Sequence, residues 1–507
     1  MRSKSAGGTR FVEVERKFDV PGSTVFPSFE GISFVARVER ISPQSLDAVY
    51  FDTPGQDLAR HRITLRRRTG GADAGWHLKL PAGPDARTEI HAPLDDGADA
   101  AAAEVPAELV DIVLAIVRDR GLAPVARIAT TRNVVKLYAD DGADLAEFSD
   151  DEVSAWAINP ADGSAGDEQR WHEWELELAD GEVEGGDEML ARLGNRLLDA
   201  GAVPAGHGSK LAKVLADGLA PPEDLPEPPP DPVHRAVAEQ VAELVEWDRA
   251  VRADVYDSVH QMRVITRKIR SLLQASEDAF GLTDDAWILD ELRQLAGVLG
   301  TARDAEVLAE RYQRALDSLP PELVRGPVRE RLVDGANRRY QAGLRRSLAA
   351  MRSPRYFRLL DALEALVSAE PPEPAPGEEH APLSIDSAYK RVRKAAKTAE
   401  QAVEEHKDEA LHRIRKGAKR LRYVAAATGE PKVSERAKVI QTLLGDHQDS
   451  VVSRAHLSQQ AEAAHAAGED TFTYGLLYQQ EDDLAHRSRE QLDDALSALK
   501  RSVRKAH

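Results

Sequence analysis

The sequence predicts two halves of different class: an α+β N-terminal half organised as a closed antiparallel β-tunnel with flanking helices, and an all-α C-terminal half. Three observations lead there. Strands in the first half carry a charged face opposite an apolar one, which makes sense if the charged face looks into a cavity and the apolar face packs outward. A proline-rich stretch from Ala220 to Pro232 separates the halves as a stiff, extended spacer. Beyond it, strand patterns give way to helical periodicity and the motifs occur twice.

Composition bounds the answer. A chain of 507 residues exceeds one ordinary core, and 42% hydrophobic with 30% charged residues reads as globular. With no cysteine, disulfides, thiolate metal sites and cysteine nucleophiles are excluded. No run of about 18 apolar residues is present, so no membrane span is expected. The small, polar and basic start, Met1 to Arg10, lacks the apolar segment of a signal peptide, so a cytoplasmic location is expected. The net charge of −19 argues against general nucleic-acid binding, while local basic stripes remain suited to polyanions.

The first strand, Phe11 to Phe18, puts Glu13, Glu15 and Lys17 on one face and Val12, Val14 and Phe18 on the other. Two carboxylates about 7 Å apart on a rigid face call for a cation between them. Ala48 to Thr53 reads as a second strand ending at the Pro54-Gly55 turn. Next, Arg62, Thr64, Arg66 and Arg68 share a face opposite Ile63 and Leu65. His77 with Lys79, and then Arg87, Glu89 and His91, repeat the pattern. Glu104 to Gly121 has helical spacing. Arg127, Arg132 and Lys136 fall on a further strand pair, with Asp150 and Asp151 at the end of the next strand. Trp171 to Leu178 sets Glu173, Glu175 and Glu177 opposite His172, Trp174, Leu176 and Leu178. A second helix, Gly186 to Gly201, precedes His207-Gly-Ser-Lys210. Oxygen-only ligands favour Mg²⁺ or Mn²⁺, and guanidinium groups bind phosphate oxygens bidentately. The set therefore describes a site for a metal-chelated polyphosphate.

Glu13-Val-Glu15-Arg-Lys17 matches the ExExK signature of the CYTH domain, the triphosphate tunnel metalloenzyme family. Tyr50-Phe-Asp-Thr53, Leu65-Arg-Arg-Arg68, Lys79, Arg87 with Glu89, and the late Glu-rich strand accompany it. The resemblance covers residues 10–217, after a tail of residues 1–9. It implies an eight-stranded antiparallel tunnel that hydrolyses inorganic or organic triphosphates with a divalent metal, or cyclises ATP. By that resemblance Glu13, Glu15, Asp150, Glu175 and Glu177 are expected as metal ligands, with Glu173 and Asp151 as alternatives of register. Lys17, Arg66, Arg68, Lys79, Arg132 and Lys210 are expected as catalytic phosphate clamps, with Arg62, Arg87, Glu89 and Lys136 as further substrate contacts.

After the spacer, residues 218–232, two helical copies are expected at about 233–369 and 383–505, split by a Pro/Glu-rich segment, 370–382. His260, Arg263, Arg267 and Arg270 fall at i, i+3, i+7 and i+10, and His412, Arg415, Lys419 and Arg422 repeat that stripe 152 residues later. Each helix also shows an apolar seam. A second motif recurs as Leu299-Gly300…Asp304 and Leu444-Gly445…Asp449, with His447 and Gln448 replacing Ala302 and Arg303. Few aromatic residues interleave these stripes, which argues against base stacking and for a base-free polyanion. The repeats resemble the CHAD domain over residues 233–505. The resemblance implies two pseudosymmetric four-helix bundles that bind inorganic polyphosphate through the eight stripe residues.

Together these readings predict a metal-dependent tripolyphosphatase joined to a polyphosphate-binding half, with possible partners limited to short triphosphates and polyphosphate and with association to polyphosphate granules. The rival expectations are a non-catalytic polyphosphate-binding protein, a thiamine triphosphatase and an adenylate cyclase. Oligomeric state is left open by the sequence.

Overall fold

The computed structural model describes residues 3–5, 8–83, 85–94, 104–181, 183–216, 232–275, 285–369 and 385–506. Most of the 218–232 spacer and all of the 370–382 segment lie outside them. Two compact units, Met1–Glu227 and Pro228–His507, divide the chain.

In the first unit the sheet comprises β1 (Ser3–Ser5), β2 (Gly8–Asp19), β3 (Arg37–Arg40), β4 (Gln44–Asp52), β5 (Thr64–Thr69), β6 (Gly75–Pro81), β7 (Ala86–Ala92), β8 (Ala123–Tyr138), β9 (Asp144–Ala157), β10 (Gln169–Leu178) and β11 (Val203–Pro204). Eight of these strands close into a ring in the order β2, β10, β9, β8, β4, β5, β6, β7 and back to β2, and all the pairings are antiparallel. The expected eight-stranded barrel is present. Closure depends on the length of β2. Its first half, Thr9 to Val14, pairs with β7, and its second half, Glu15 to Asp19, pairs with β10. One strand thus serves both sides of the seam.

The apolar faces point outward, as the inverted pattern requires. Val14, Phe18, Phe148, Trp174, Leu176 and Leu178 pack against Leu190, Leu193 and Leu197 of α3 (Gly186–Asp199). Burying each such side chain stabilises by roughly 1.5–3 kcal/mol, so the external layer holds the barrel shut around a polar interior. Two short helices and one of three turns complete the unit: α1 (Asp57–Arg60), α4 (Lys210–Val214) and α2 (Ala107–Val117). Ser209 caps α4 by accepting from the Ala212 amide at 3.1 Å. Leu211, Val214 and Leu215 pack on Ala48, Tyr50, Ile128, Val153 and Ala155. Strand alternation puts Val153 and Ala155 on the same inner face as Asp151, so α4 stops one end of the barrel. The expected strand pair around Arg127 to Lys136 is a single 16-residue strand, β8. Arg127 lies on its outer face, bonded to Asp47, while Arg132 and Lys136 point inward.

The second unit is helical: α5 (Pro232–Arg252), α6 (Ser258–Ala275), α7 (Asp285–Asp317), α8 (Gly335–Met351), α9 (Pro354–Ser368), α10 (Ile385–Glu400), α11 (Glu404–Ala427), α12 (Pro431–Ala466), α13 (Phe472–Glu490) and α14 (Leu492–Val503). Each half is a four-rod bundle whose last rod is broken. In the first half the break falls at Ser353, whose hydroxyl caps Tyr356, followed by Pro354 at the first helical position. The apolar seams are buried: Met262, Ile265 and Ile269 in α6, and Ile414, Leu421 and Val424 in α11. The long helices α7 and α12, about 50 Å each at 1.5 Å per residue, overshoot their own bundles and meet. Tyr312, Leu316, Val328 and Leu332 from one half share a core with Leu457, Ala464, Tyr474 and Leu477 from the other. Arg331 forks onto Glu469 at 2.6 and 2.7 Å across this junction.

One contact in the first bundle is as close as backbones allow. A Cβ at Gly343 of α8 would lie 2.8 Å from both the backbone N and Cα of Ala302 in α7. Alanine normally favours a helix over glycine by about 1 kcal/mol. Here Gly343→Ala is expected to destabilise the protein by roughly 1–3 kcal/mol, because two helices must part. Denaturant unfolding of the full chain checks this; an unchanged or higher midpoint would contradict the close approach.

Candidate functional site

Side chains from all eight strands of the ring and from α4 converge on one cavity of about 360 Å³. β2 contributes Glu13, Glu15 and Lys17; β5 contributes Arg66 and Arg68; β6 contributes Lys79; β7 contributes Arg87 and Glu89. Arg132 and Lys136 come from β8, Glu175 and Glu177 from β10, and Lys210 from α4. The register explains how these charges sort. Lys17 lies opposite Glu175, Lys79 opposite Glu89, and Arg132 opposite Asp151, while other pairs are like-charged, among them Asp151 with Glu173, Glu15 with Glu177 and Glu147 with Glu177. Directly opposed side chains are about 5 Å apart, so like pairs repel unless a cation intervenes.

At the stoppered end that cation is Lys210. Its ammonium lies 2.9 Å from Asp151, 2.6 Å from Glu173 and 2.8 Å from Glu175. Those three carboxylates bring oxygens within 4.8 Å of one another, the spacing of a metal site, but the lysine occupies its centre. Arg132 forks onto Asp151 at 2.8 and 2.6 Å and reaches Glu175 at 2.5 Å, and Lys17 donates to Glu15 and Glu175 at 2.6 Å each. Burial opposes ionisation of Glu175, yet Lys17, Lys210 and Arg132 together hold its carboxyl well below the usual range.

The Glu15–Glu177 pair is differently placed. Burial, then the neighbouring Glu13, pushes the Glu177 carboxyl well above its ordinary value, and among the described residues no cation is in salt-bridge range of it. Burial raises Glu13 as well, against the Lys79 ammonium 2.6 Å away. Glu13, Glu15 and Glu177 line this part of the cavity with oxygen donors alone, and Glu15 is held below its ordinary value, against burial, by Lys17 and Lys79. That donor set fits a hard divalent cation.

Two expected site residues sit elsewhere. Asp150 faces outward: its carboxylate accepts from the Trp174 indole at 2.8 Å and is 2.5 Å from His172 Nε2. Alternation along β9 gives the lumen to Asp151 instead. Arg62 precedes β5 in a left-handed turn, φ 57°, and is exposed, so the strand pattern does not extend to it. Its carbonyl accepts from Arg87 at 3.2 Å. The sequence reading named Tyr50 and His77 but gave neither a place in the site. The Tyr50 hydroxyl is 3.4 Å from Arg66 within the cavity. His77 Nδ1 is 2.7 Å from Glu89, behind the lining. Alternation from Ala48 through Tyr50 is the signal that pointed to the first.

In the helical unit the two predicted stripes come face to face. Arg267 of α6 feels Arg415 and Tyr423 of α11, and Lys419 of α11 feels Arg267 and Arg263 of α6. Burial, then Arg267, Arg263, Arg415 and Arg422, pushes the Lys419 amine down to about 7. His412 is lowered by burial and then by Lys416, Arg415 and Arg267. His260 is lowered by burial and by Arg303. Arg270 and Arg422 extend the stripes, and Arg422 donates to Gln441 at 3.3 Å.

The Leu-Gly motif now has a physical role. Arg263 donates to the Ala296 carbonyl at 3.2 Å and lies flat on Gly300, where a Cβ would meet its Nε at 3.3 Å. Arg415 lies on Gly445 in the same way, at 3.2 Å. Each glycine makes room for one stripe arginine. The copies differ beside them: Arg303 pairs with Asp257 and Glu306, whereas buried His447 lies 3.6 Å from Asp408.

A family model described as CYTH domain matches residues 12–197, and one described as CHAD domain matches residues 235–458. Two uncharacterized proteins of Mycobacterium tuberculosis, from strains CDC 1551 and H37Rv, are each 67% identical over 509 residues, covering 98% of this chain and 98% of their own. Among solved structures, PptA from Streptomyces chartreusis is similar over 54% of this chain and 100% of its own, with 21% identity and a TM-score of 0.45. The CHAD domain from Ricinus communis is similar over 53% of this chain and 90% of its own, with 22% identity and a TM-score of 0.41. No helix among the described residues is long and apolar enough to cross a membrane.

The Lys419 setting makes stability depend on pH. The folded chain releases this proton near pH 7 and the unfolded chain at the ordinary 10.5, so between these values the unfolded state binds more protons. Stability contributed by this group therefore rises with pH across that window. Lys419→Met is expected to stabilise the protein at pH 6, with the advantage shrinking toward pH 10. Denaturation of both proteins at a series of pH values measures it, and a pH-independent difference would contradict the crowding.

Proposed function

The chain belongs to the CYTH–CHAD family of triphosphate tunnel enzymes, and from that premise we propose that its tunnel hydrolyses inorganic tripolyphosphate while its helical half binds inorganic polyphosphate. The observation that carries the first part is the charge pairing of the lumen. Lys17, Arg66, Arg68, Lys79, Arg132 and Lys210 are held by carboxylates rather than by apolar packing. Such cations can exchange a carboxylate for a phosphate oxygen without leaving water-filled space, and they are arranged before the substrate arrives.

Mg²⁺ or Mn²⁺ fits the Glu13, Glu15 and Glu177 oxygens, and when bound it supplies Lewis-acid neutralisation of phosphate oxygens. The chain's own residues do the rest. Lys17, Lys210 and Arg132 bind the phosphate that reaches the stoppered end; Arg66, Arg68 and Lys79 bind along the opposite wall, with Arg87 and Lys136 beside them. Tyr50 and Glu89 orient Arg66, which lies 3.4 and 4.0 Å from them. Burial, then Arg66 and Arg132, lowers the Arg68 guanidinium to about 9, so an incoming anion stabilises its charge. The helix α4 excludes bulk water from one side of the chain being cut. Phe11 and Tyr50 are the aromatic side chains of the lining, and Tyr50 is committed to Arg66. The cavity offers little platform for a base or thiazole ring, which favours an inorganic triphosphate over ATP or thiamine triphosphate.

In the helical half, facing stripes of like charge favour binding of a continuous polyanion. His260, Arg263, Arg267, Arg270, His412, Arg415, Lys419 and Arg422 are the proposed contacts. This activity would place the protein at polyphosphate granules.

Phosphate release from tripolyphosphate by the full-length protein, with Mg²⁺ and with Mn²⁺, tests the tunnel. Glu13→Gln is expected to lower turnover by about 10²-fold or more, since it removes one charge from the metal-fitting cluster. Absence of turnover with either metal, with polyphosphate still bound, would leave the reading of a non-catalytic binding protein. For the groove, Arg263→Ala with Arg415→Ala is expected to weaken long-chain polyphosphate binding at least tenfold, with the wild-type affinity falling as salt is raised. Equal binding by the double variant would move the polyanion site elsewhere.

A further inference from the structure

The two stripes match in residue type at the His and at two of the three cations, and differ at one position: where α6 has Arg267, α11 has Lys419. That exchange changes the chemistry of the groove, because a guanidinium stays protonated and an amine need not. Lys419 is half-buried and faces Arg263 and Arg267 across the groove, with Arg415 and Arg422 one turn before and one turn after it on its own helix. Among the described residues no carboxylate or carbonyl accepts a hydrogen bond from its Nζ. Its near neighbour is the Tyr423 ring, 5.6 Å away. From α12, Gln441 accepts from Arg422, and the carboxyl groups of Asp446 and Asp449 act on Arg415.

Burial, and then the four guanidinium neighbours Arg267, Arg263, Arg415 and Arg422, favour loss of the Lys419 proton. The neutral amine is a nucleophile. The same guanidinium groups that strip the proton are phosphate ligands. A molecule carrying a phosphate next to an electrophilic carbon is therefore both drawn to this groove and exposed to a free amine there.

We propose that Lys419 is a covalent acylation site, modified by small acyl phosphates that dock through their phosphate group on the surrounding arginines. The Nζ lone pair attacks the acyl carbonyl carbon and forms a C–N bond. The bond from that carbon to the phosphate oxygen breaks, and inorganic phosphate leaves with the electron pair, its charge held by Arg267 and Arg415. The nitrogen then gives its extra proton to solvent. Nothing is oxidised or reduced, and the product is an amide without charge. Because Arg267 occupies the matching position in the first copy, the groove has one such amine rather than two. On the proposed reading of this groove as a polyphosphate site, the modification removes a central cation and weakens binding.

The test is a time course of the full-length wild-type protein with acetyl phosphate at pH 7.5, read by peptide mass spectrometry. Lys416 on the same helix and Lys394 on α10, both exposed, serve as internal references. Lys419 is expected to acetylate at least tenfold faster than either. The excess should shrink when inorganic phosphate is added and when the pH is raised toward 10, where an ordinary lysine amine is also deprotonated. An uncharged acylating reagent, phenyl acetate, is expected to show a smaller preference for Lys419 because no phosphate guides it. Lys419 reacting no faster than Lys416 would overturn the proposal, and so would an equal preference with the uncharged reagent, which would remove the docking step. Polyphosphate binding is measured separately: rapid acetylation without polyphosphate binding would leave this inference standing and remove the polyphosphate reading, whereas binding without selective acetylation would do the reverse.

Discussion

The tunnel depends on neutralising buried charge. A carboxylate or ammonium taken from water without a partner costs several kcal/mol, and the lumen holds many of both. Glu175 is the centre of the solution: three cations from β2, β8 and α4 converge on it, and each also contacts a second carboxylate. Because the partners come from elements distant in sequence, the cage can form only when β2 has closed the ring and α4 has stopped its end. Breaking such a network by removing one member leaves the other charges exposed to a low-dielectric interior, so the interior is tied to the fold although the external apolar layer supplies the gross stabilisation.

The same physics is left incomplete at two places. In the tunnel, the Glu15–Glu177 pair has no lysine between its members comparable to Lys210 between Asp151 and Glu173. In the helical unit, cations of α6 face cations of α11, and burial with this crowding lowers both Arg267 and Lys419. The first deficit is one of positive charge and the second one of negative charge. Each fold unit stores a mismatch that a ligand of opposite sign relieves, and the chemistry of a metal and of a polyanion follows from the sign of each.

Glycine placement links the repeat pattern to this electrostatics. Gly300 and Gly445 sit in the long helices, where glycine is costly, and each lies under one stripe arginine. The arginines are thereby held against a helix backbone rather than free in solvent. The shared core between the overshooting ends of α7 and α12 then fixes the two copies relative to each other. The stripes are held in opposition by packing well away from the charges themselves.

Periodicity determined much of this in advance. Period-two alternation assigned Glu13, Glu15, Lys17, Arg66, Arg68, Lys79, Glu175 and Glu177 to an inner face, since a strand offers its side chains only two directions. Period 3.6 likewise grouped His260 with Arg263, Arg267 and Arg270, and exposed the second copy. What alternation could not supply is where a strand begins and how it is paired. Arg62 continues the pattern in sequence but lies in a left-handed turn before β5, and Asp150 and Asp151 are neighbours that only the register of β9 against β8 and β10 separates. Nor does a local pattern contain the distance between Lys210 and Asp151, or between Lys419 and Arg267. Those separations arise from ring closure and from the packing of two helical halves, and Coulomb energy depends on them; the residues that carry charge were determined by sequence, and which charges are satisfied was decided by tertiary structure.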